Sequence, residues 1–171
     1  TAFGRTALTS TSTGIENTAV GIYASISNTT GDYNVALGRA ALYTNQTGQR
    51  NVALGSDALY TNTASYNTAV GYAALTSNTT GAQNAASGYQ ALKVNTTGAQ
   101  NTATGAYALG DNTTGSYNTA VGRQALKYNT TANNNTAVGY HSLQVNTTGA
   151  QNTALGRNTL EEFKAIVNSN N

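Results

Sequence analysis

The chain has 171 residues and a formal net charge of +2, from eight basic and six acidic side chains. This small charge argues against a basic track for nucleic acid, and the absence of cysteine excludes disulfides and thiolate metal sites. No apolar run approaches the ~20 residues that span a bilayer, so membrane insertion is not expected. Methionine is also absent, so we expect a processed product or a piece cut from a longer protein.

A pentad, Asn-Thr-Ala-Val-Gly, first complete at 17–21, recurs along almost the whole chain. Its asparagine returns at Asn34, Asn51, Asn67, Asn84, Asn101, Asn118, Asn135 and Asn152. Each step is 17 residues, except for one of 16 between Asn51 and Asn67. A fixed short period indicates one small unit stacked on copies of itself. The sequence therefore predicts an all-β fold, a parallel β-solenoid of about ten 17-residue coils over residues 1–157.

We number the repeat positions as columns 1–17, starting from the pentad asparagine. Column 3 is always alanine and column 5 always glycine, while column 9 is leucine except in the second copy, where Ile26 is displaced by one place. Alanine alone indicates closely packed backbones, and glycine alone indicates a positive φ or a backbone approach that a Cβ would block. The leucines predict the core. Representatives of these structural columns are Ala69, Gly71, Leu75, Ala120, Gly122 and Leu126.

Columns 2–4, for example residues 18–20, are apolar or β-branched throughout most of the array. A strand that reads as a continuous apolar run is usually covered on both faces. One cover would be the leucine-bearing half of the same coil, and the other a neighbouring chain. The pattern favours a homo-oligomer, but a monomer with an uncovered flat face stays open because threonine and alanine tolerate exposure.

An Asn-Thr-Thr-Gly segment closes the repeat, for example at 78–81 and 95–98. Asparagine bonds its own backbone and tolerates the left-handed region, so the segment predicts a turn. In stacked coils the same asparagine recurs at the distance between neighbouring strands, ~4.8 Å. This spacing allows a ladder of side-chain amides along the axis. The Asn-x-Thr triplets also match a glycosylation acceptor, but the turn explains them without glycans.

From residue 158 onward the pattern changes. Thr159 and Glu162 fit a capping box, and Phe163 and Ile166 fall on one helical face. The sequence therefore predicts a short amphipathic helix over 158–171. The helix would either cap the open end of the solenoid or begin a coiled-coil stalk.

The columns carry little chemistry. No column holds a recurring carboxylate, whereas calcium-binding β-rolls place aspartates in every unit. The single histidine, His141, lies in a column that is otherwise variable. We therefore predict no catalytic residue, no cofactor and no metal site, and a protein that is not an enzyme.

Aromatic and arginine side chains are the remaining candidates for recognition. The candidate residues are Tyr72, Tyr89, Arg123 and Tyr140 in column 6, and Tyr43 and Tyr60 in column 10. Rows of such side chains suit stacking on sugar rings and contact with proteins. The alternative is that they pack against one another as ladders along the edges of the rod or at a seam between chains.

The pentads Asn-Thr-Ala-Val-Gly, Asn-Val-Ala-Leu-Gly and Asn-Thr-Ala-Leu-Gly between Asn17 and Gly156 resemble the head repeats of trimeric autotransporter adhesins and the related repeats of phage tail fibres. The resemblance implies a left-handed parallel β-roll in which three chains, intertwined or side by side, associate around the pentad-bearing faces. The present repeat is longer than the adhesin unit. Its Ala-Leu segment and Asn-Thr-Thr-Gly turn resemble the tail-fibre version more closely.

We therefore expect a structural segment of a phage tail fibre or surface adhesin, located on a virion tail or at a cell surface. It would be a stiff homotrimeric shaft whose partners are a cell-surface glycan or protein receptor, contacted multivalently. Two alternatives remain. Ice binding requires outward threonines two residues apart on each strand, and polysaccharide depolymerisation requires two carboxylates roughly 5–10 Å apart.

Overall fold

The computed structural model describes residues 1–160, which form one sheet of ten parallel strands in the order β1 to β10. The strands are β1 (Ala2–Phe3), β2 (Thr18–Val20), β3 (Val35–Leu37), β4 (Val52–Leu54), β5 (Thr68–Val70), β6 (Ala85–Ser87), β7 (Thr102–Thr104), β8 (Thr119–Val121), β9 (Thr136–Val138) and β10 (Thr153–Leu155). The described residues contain no helix. The prediction of an all-β parallel solenoid with about 17 residues per turn is confirmed.

Each strand pairs with the equivalent residues of the next copy, so that every column forms a row along the axis. Between β5 and β6, for instance, Ala69 pairs with Ala86. We call each coil a rung and number the rungs 1–10 after their strands. With ~4.8 Å between neighbouring strands, the described array is about 45 Å long. The fourth copy is the one with 16 residues, and it is one residue shorter in the turn after Asn62. There Ala64 takes the place of the turn glycine.

The glycines of column 5 meet both requirements expected of them. All ten have φ between 122° and 141°. A Cβ on Gly88 would lie 2.6 Å from the carbonyl carbon and oxygen of Gly105 on the next rung. An alanine in this column would therefore be strained and would also push two rungs apart.

The core is a narrow stack of small side chains around one row of leucines. Ala69, Ala74 and Leu75 are fully buried on rung 5, and the same three columns form the core of the inner rungs, whereas Ala2 and Leu160 on the two terminal rungs are exposed. On rung 2 the structure corrects the sequence interpretation. Ser25 occupies the buried leucine column, with 1% exposure and φ of 49°, whereas Ile26 is only half-buried. The backbone register therefore sets the column, and the apolar side chain does not.

Three further columns place non-glycine residues in the left-handed region. Examples from columns 7, 9 and 17 are Ala73, Leu75 and Gln83, with φ of 52°, 52° and 59°. This conformation costs an L-residue roughly 1–2 kcal/mol. Each of these amides donates to a carbonyl of a neighbouring rung; that of Ala73, for example, reaches Ser56 at 2.9 Å. The corners of each coil are therefore stabilised by stacking on other coils.

Two rows of buried asparagines run side by side along the axis. In column 12, Nδ2 of Asn95 donates to Oδ1 of Asn78 at 2.7 Å and to the carbonyl of Gly98 at 2.9 Å. In column 1, the backbone amide of Asn84 donates to Oδ1 of Asn67 at 2.9 Å, and its Nδ2 donates to the same Gly98 carbonyl at 2.8 Å. The amide ladder predicted for the turn is confirmed, and the pentad asparagine forms a second ladder that the sequence did not indicate.

The last described residues continue the repeat. Asn158 and Leu160 have φ of 56° and 51°, as their columns do elsewhere, and the amide of Leu143 donates to the carbonyl of Thr159 at 2.8 Å. Residues 158–160, the first three of the segment predicted as a helix, therefore form a repeat turn. The rest of that helix, 161–171, lies outside the described residues.

Candidate functional site

The outer side of the sheet is an uncharged surface, which we call the flat face. It consists of columns 2 and 4, whose side chains point away from the core while alanine points inward. On β5, Thr68 and Val70 are exposed and Ala69 is fully buried. A single chain therefore covers only one face of each strand. Threonines occur at both outward positions on only one of the described strands, as Thr102 and Thr104 of β7.

A second surface, the aromatic edge, is formed by columns 6, 7 and 10. Tyr43 and Tyr60 stack with ring centroids 4.8 Å apart and planes 6° apart. Tyr72 and Tyr89 stack at 5.5 Å and 17°, and Tyr107 meets Tyr89 edge to face at 5.3 Å. These contacts are the packing of side chains into ladders that the sequence left open as the alternative to recognition. Desolvation, together with a hydrogen bond to Tyr89, raises the pKa of Tyr107.

The remaining predicted recognition residues, Arg123 and Tyr140, bind each other. Nη1 of Arg123 donates to the hydroxyl of Tyr140 at 3.0 Å. The guanidinium carbons of Arg123 and Arg157 lie 5.5 and 5.6 Å from the Tyr140 ring centroid. These distances are typical of cation–π contacts. This part of the edge therefore packs as a ladder within the chain.

Column 17 repeats the same arrangement at another corner. The guanidinium carbon of Arg50 lies 5.2 Å from the ring centroid of Tyr33 and 5.6 Å from that of Tyr66. Its Nη1 also donates to the Tyr66 hydroxyl at 3.0 Å. Arginine between two tyrosines thus continues a row that two rings alone would leave interrupted.

The aromatic edge opens into a groove of about 330 Å³ at rung 5. The groove exists because rung 5 carries small side chains, Ala73 and Thr76, in columns 7 and 10. On rung 4 the same columns hold Asp57 and Tyr60, and on rung 6 they hold larger polar side chains. The walls are therefore higher than the floor.

Of the four tyrosines predicted for recognition near this groove, two line it and two lie behind it. Tyr60 and Tyr72 line it, while Tyr43 and Tyr89 stack behind them on the neighbouring rungs. Gln90 and Lys93 of rung 6 complete the wall, and sequence analysis did not single them out. The signal that could have identified them is the coincidence of two small residues in one copy between two copies with large ones.

The charged side chains at the groove are only partly paired with one another. Nη1 of Arg39 lies 3.1 Å from Oδ1 of Asp57, and the Ser56 hydroxyl donates to Oδ2 at 3.2 Å. This is the sole ion pair within residues 1–160, so Lys93 has no carboxylate partner there. Asp57 is also the one described carboxylate that lines the groove. The pair of acids that depolymerisation requires is therefore not present among the groove residues.

Comparison of the chain with protein-family models, curated proteins and solved structures gave no match. The resemblance to adhesin and tail-fibre repeats therefore stays a prediction from the pentads alone. Within the described part of the chain no three His, Cys, Asp or Glu side chains cluster as they would around a metal ion. The same residues include no helix long and apolar enough to cross a bilayer.

Proposed function

We propose that the chain is a structural fibre segment, the stiff shaft of a phage tail fibre or surface adhesin. The observation that carries the proposal is the unbroken register of the sheet, from Ala2 paired with Ala19 to Ala154 paired with Ala137. In such a stack each rung contacts only its neighbours. Length therefore grows with the number of copies, and two continuous amide ladders oppose bending.

The flat face supports assembly as a homotrimer. Columns 2 and 4 of the ten strands contain no charged side chain, so copies could pack there without burying an unpaired charge. Val70 and Val121 are each 37% exposed and Leu37 is 48% exposed. Covering such side chains stabilises an interface by roughly 25 cal/mol per Å² of apolar surface. Three-fold symmetry comes from the resemblance to the adhesin and tail-fibre repeats.

Contact with a receptor would then be multivalent. A trimer presents each surface site of the aromatic edge three times on a rigid support, and fixed spacing converts weak single contacts into strong overall attachment. A fibre segment with this geometry serves both as a spacer and as a display surface.

Removal of one complete copy tests the rod. Deletion of residues 119–135 joins Asn118 to Thr136 and preserves the repeat phase. We expect small-angle X-ray scattering to give a maximum dimension shorter by about 5 Å, one rung spacing, with an unchanged cross-section. A matched deletion of nine residues, 119–127, breaks the phase and should cause loss of the folded sheet. A change in cross-section after the 17-residue deletion would contradict the proposal.

A further inference from the structure

We propose that the groove at rung 5 binds one acidic sugar unit, a pyranose ring that carries a carboxylate. The proposal deepens the receptor-contact part of the proposed function and rests on it for its biological setting. The binding chemistry itself depends only on side chains of a single chain. Three features of the groove carry the inference: an interrupted aromatic stack, a set of polar groups around it, and an unpaired cation.

The stack of Tyr43 and Tyr60 is interrupted at rung 5. Its 4.8 Å spacing and 6° angle match the rung repeat, so the next ring of the row would lie in column 10 of rung 5. That place holds Thr76, and no other ring of the described residues contacts Tyr60 on that side. Lys93 follows in the same column on rung 6. A ligand ring in the groove would continue the row.

The dimensions suit one ring. Asp57 and Tyr60 on rung 4 are separated from their column partners on rung 6 by two rung spacings, about 10 Å. The 330 Å³ volume lies at the lower end of the range for small-molecule sites. The groove is therefore large enough for a monosaccharide and too short to hold several units along the axis.

The lining combines apolar and polar groups in the way a sugar requires. The C–H face of a pyranose can pack on the rings of Tyr60 and Tyr72, because aromatic rings offer a flat apolar surface. Ring hydroxyls can exchange hydrogen bonds with the Thr76 hydroxyl, the Gln90 amide and the Asp57 carboxylate. Because Asp57 is oriented by Arg39 and Ser56, its acceptor position is fixed before the ligand arrives.

Charge selects the acidic form. Arg39 offsets Asp57, and Lys93 adds a positive charge with no carboxylate within 4 Å in the described chain. The three groups sum to +1. A ligand carboxylate next to Lys93 would gain a charge-assisted hydrogen bond, whereas a neutral sugar would leave the ammonium unpaired. We infer that the site prefers uronic or other carboxylated pyranoses to neutral hexoses.

Titrations with the methyl glycosides of glucuronic acid and glucose, followed by NMR chemical shifts at constant ionic strength, test the proposal. We expect saturable binding of the glucuronide in the millimolar range and affinity for the glucoside weaker by about five-fold or more, which corresponds to one charge-assisted contact. Lys93→Gln should reduce glucuronide affinity to that of the glucoside. Equal binding of both sugars by the unmodified chain would overturn the acidic preference.

Thr76→Tyr provides the second variant, because the new ring should extend the stack of Tyr60 and fill the groove without disturbing the core. It should abolish binding of both sugars while thermal stability is kept. Thr9→Tyr, at the same column of rung 1, is the matched control and should bind as the unmodified chain does. Binding that survives Thr76→Tyr would exclude the groove. A trimer that fails to bind sugar would contradict only the site, and a monomer that binds it would contradict only the trimer.

Discussion

The side-chain amide of Asn95 donates a hydrogen bond over 2.7 Å to Oδ1 of Asn78 one rung earlier, and Oδ1 of Asn95 accepts an equal bond from Asn112 one rung later. Each asparagine in the interior of this row is thus both donor and acceptor. Hydrogen-bonded chains of this kind rigidify a structure when complete, and an interruption leaves polar groups buried without partners.

Asn95→Ala interrupts that chain in the middle of the array. It removes the bonds to Asn78 and Gly98, and it takes from Nδ2 of Asn112 the acceptor on Asn95, so that this amide keeps only its bond to Gly115. We expect a loss of about 2–4 kcal/mol, because each unsatisfied buried group costs roughly 1–3 kcal/mol. Urea unfolding followed by circular dichroism measures the loss. Thr97→Ala, at an exposed turn position, should change stability by less than about 0.5 kcal/mol, and equal effects of the two variants would contradict the ladder.

Gly88→Ala tests the close approach of the rungs. The new Cβ would lie 2.6 Å from backbone atoms of Gly105, at a φ of 141°. We expect unfolding or a fall in Tm of more than 10 °C, since the backbone clash and the strain act together. Gly110 is the control, because its φ is not positive and a Cβ there meets its nearest atom at 3.2 Å. Similar melting temperatures for Gly88→Ala and Gly110→Ala would show that the column-5 geometry is not required.

Residues in the left-handed corners should respond to substitution differently from ordinary surface residues, with glycine as the most stable choice. Gln151 is exposed with φ of 60°, so Gln151→Gly should stabilise by up to about 1 kcal/mol by relieving strain. Gln151→Val should destabilise by at least about 1 kcal/mol, because a β-branched side chain tolerates this region poorly. Thermal unfolding should give the order Gly, Gln, Val from most to least stable. At Thr148, which is not in the left-handed region, glycine should not stabilise, and the reverse result at either position would count against the corner geometry.

Lysines on the flat face should separate the chains without unfolding them. Val70 and Val121 lie in column 4 on rungs 5 and 8 and point outward, so the double variant Val70→Lys/Val121→Lys would place charges in a buried interface. We expect dissociation to monomers with an unchanged circular dichroism spectrum. The pair Thr80→Lys/Thr131→Lys, exposed in the turns of the same rungs, is the control and should remain assembled. Dissociation of both pairs would indicate a general effect of charge.

Much of the fold was predictable because close packing limits the size of the side chain at individual repeat positions, and this limit is visible in a single column of the sequence. Alanine and glycine that recur without exception indicate that the rungs are in close contact at those columns. Tyr43 and Tyr60 lie one repeat apart in the sequence, and this spacing alone indicates that their rings can stack. The left-handed residues were not predictable, since Leu75 or Gln83 gives no local sign of a positive φ. Those conformations are imposed by hydrogen bonds to neighbouring rungs, which is also why Ser25 occupies a place that hydrophobicity would assign to Ile26.

The candidate site was predictable only in part, for a related reason. Reading down columns identified Tyr60 and Tyr72, because aromatic residues recur there. The groove itself depends on Ala73 and Thr76 being small on the same rung, which is a property of one copy and disappears when copies are averaged. Lys93 acquires its role only from that local gap.

A trimeric shaft requires copies of this chain to associate through the flat face. Sedimentation equilibrium of the unmodified chain at micromolar concentration measures the assembled mass. A mass three times that of the 17.5 kDa chain, unchanged on tenfold dilution, is the predicted result. A mass equal to that of one chain would contradict the trimeric shaft.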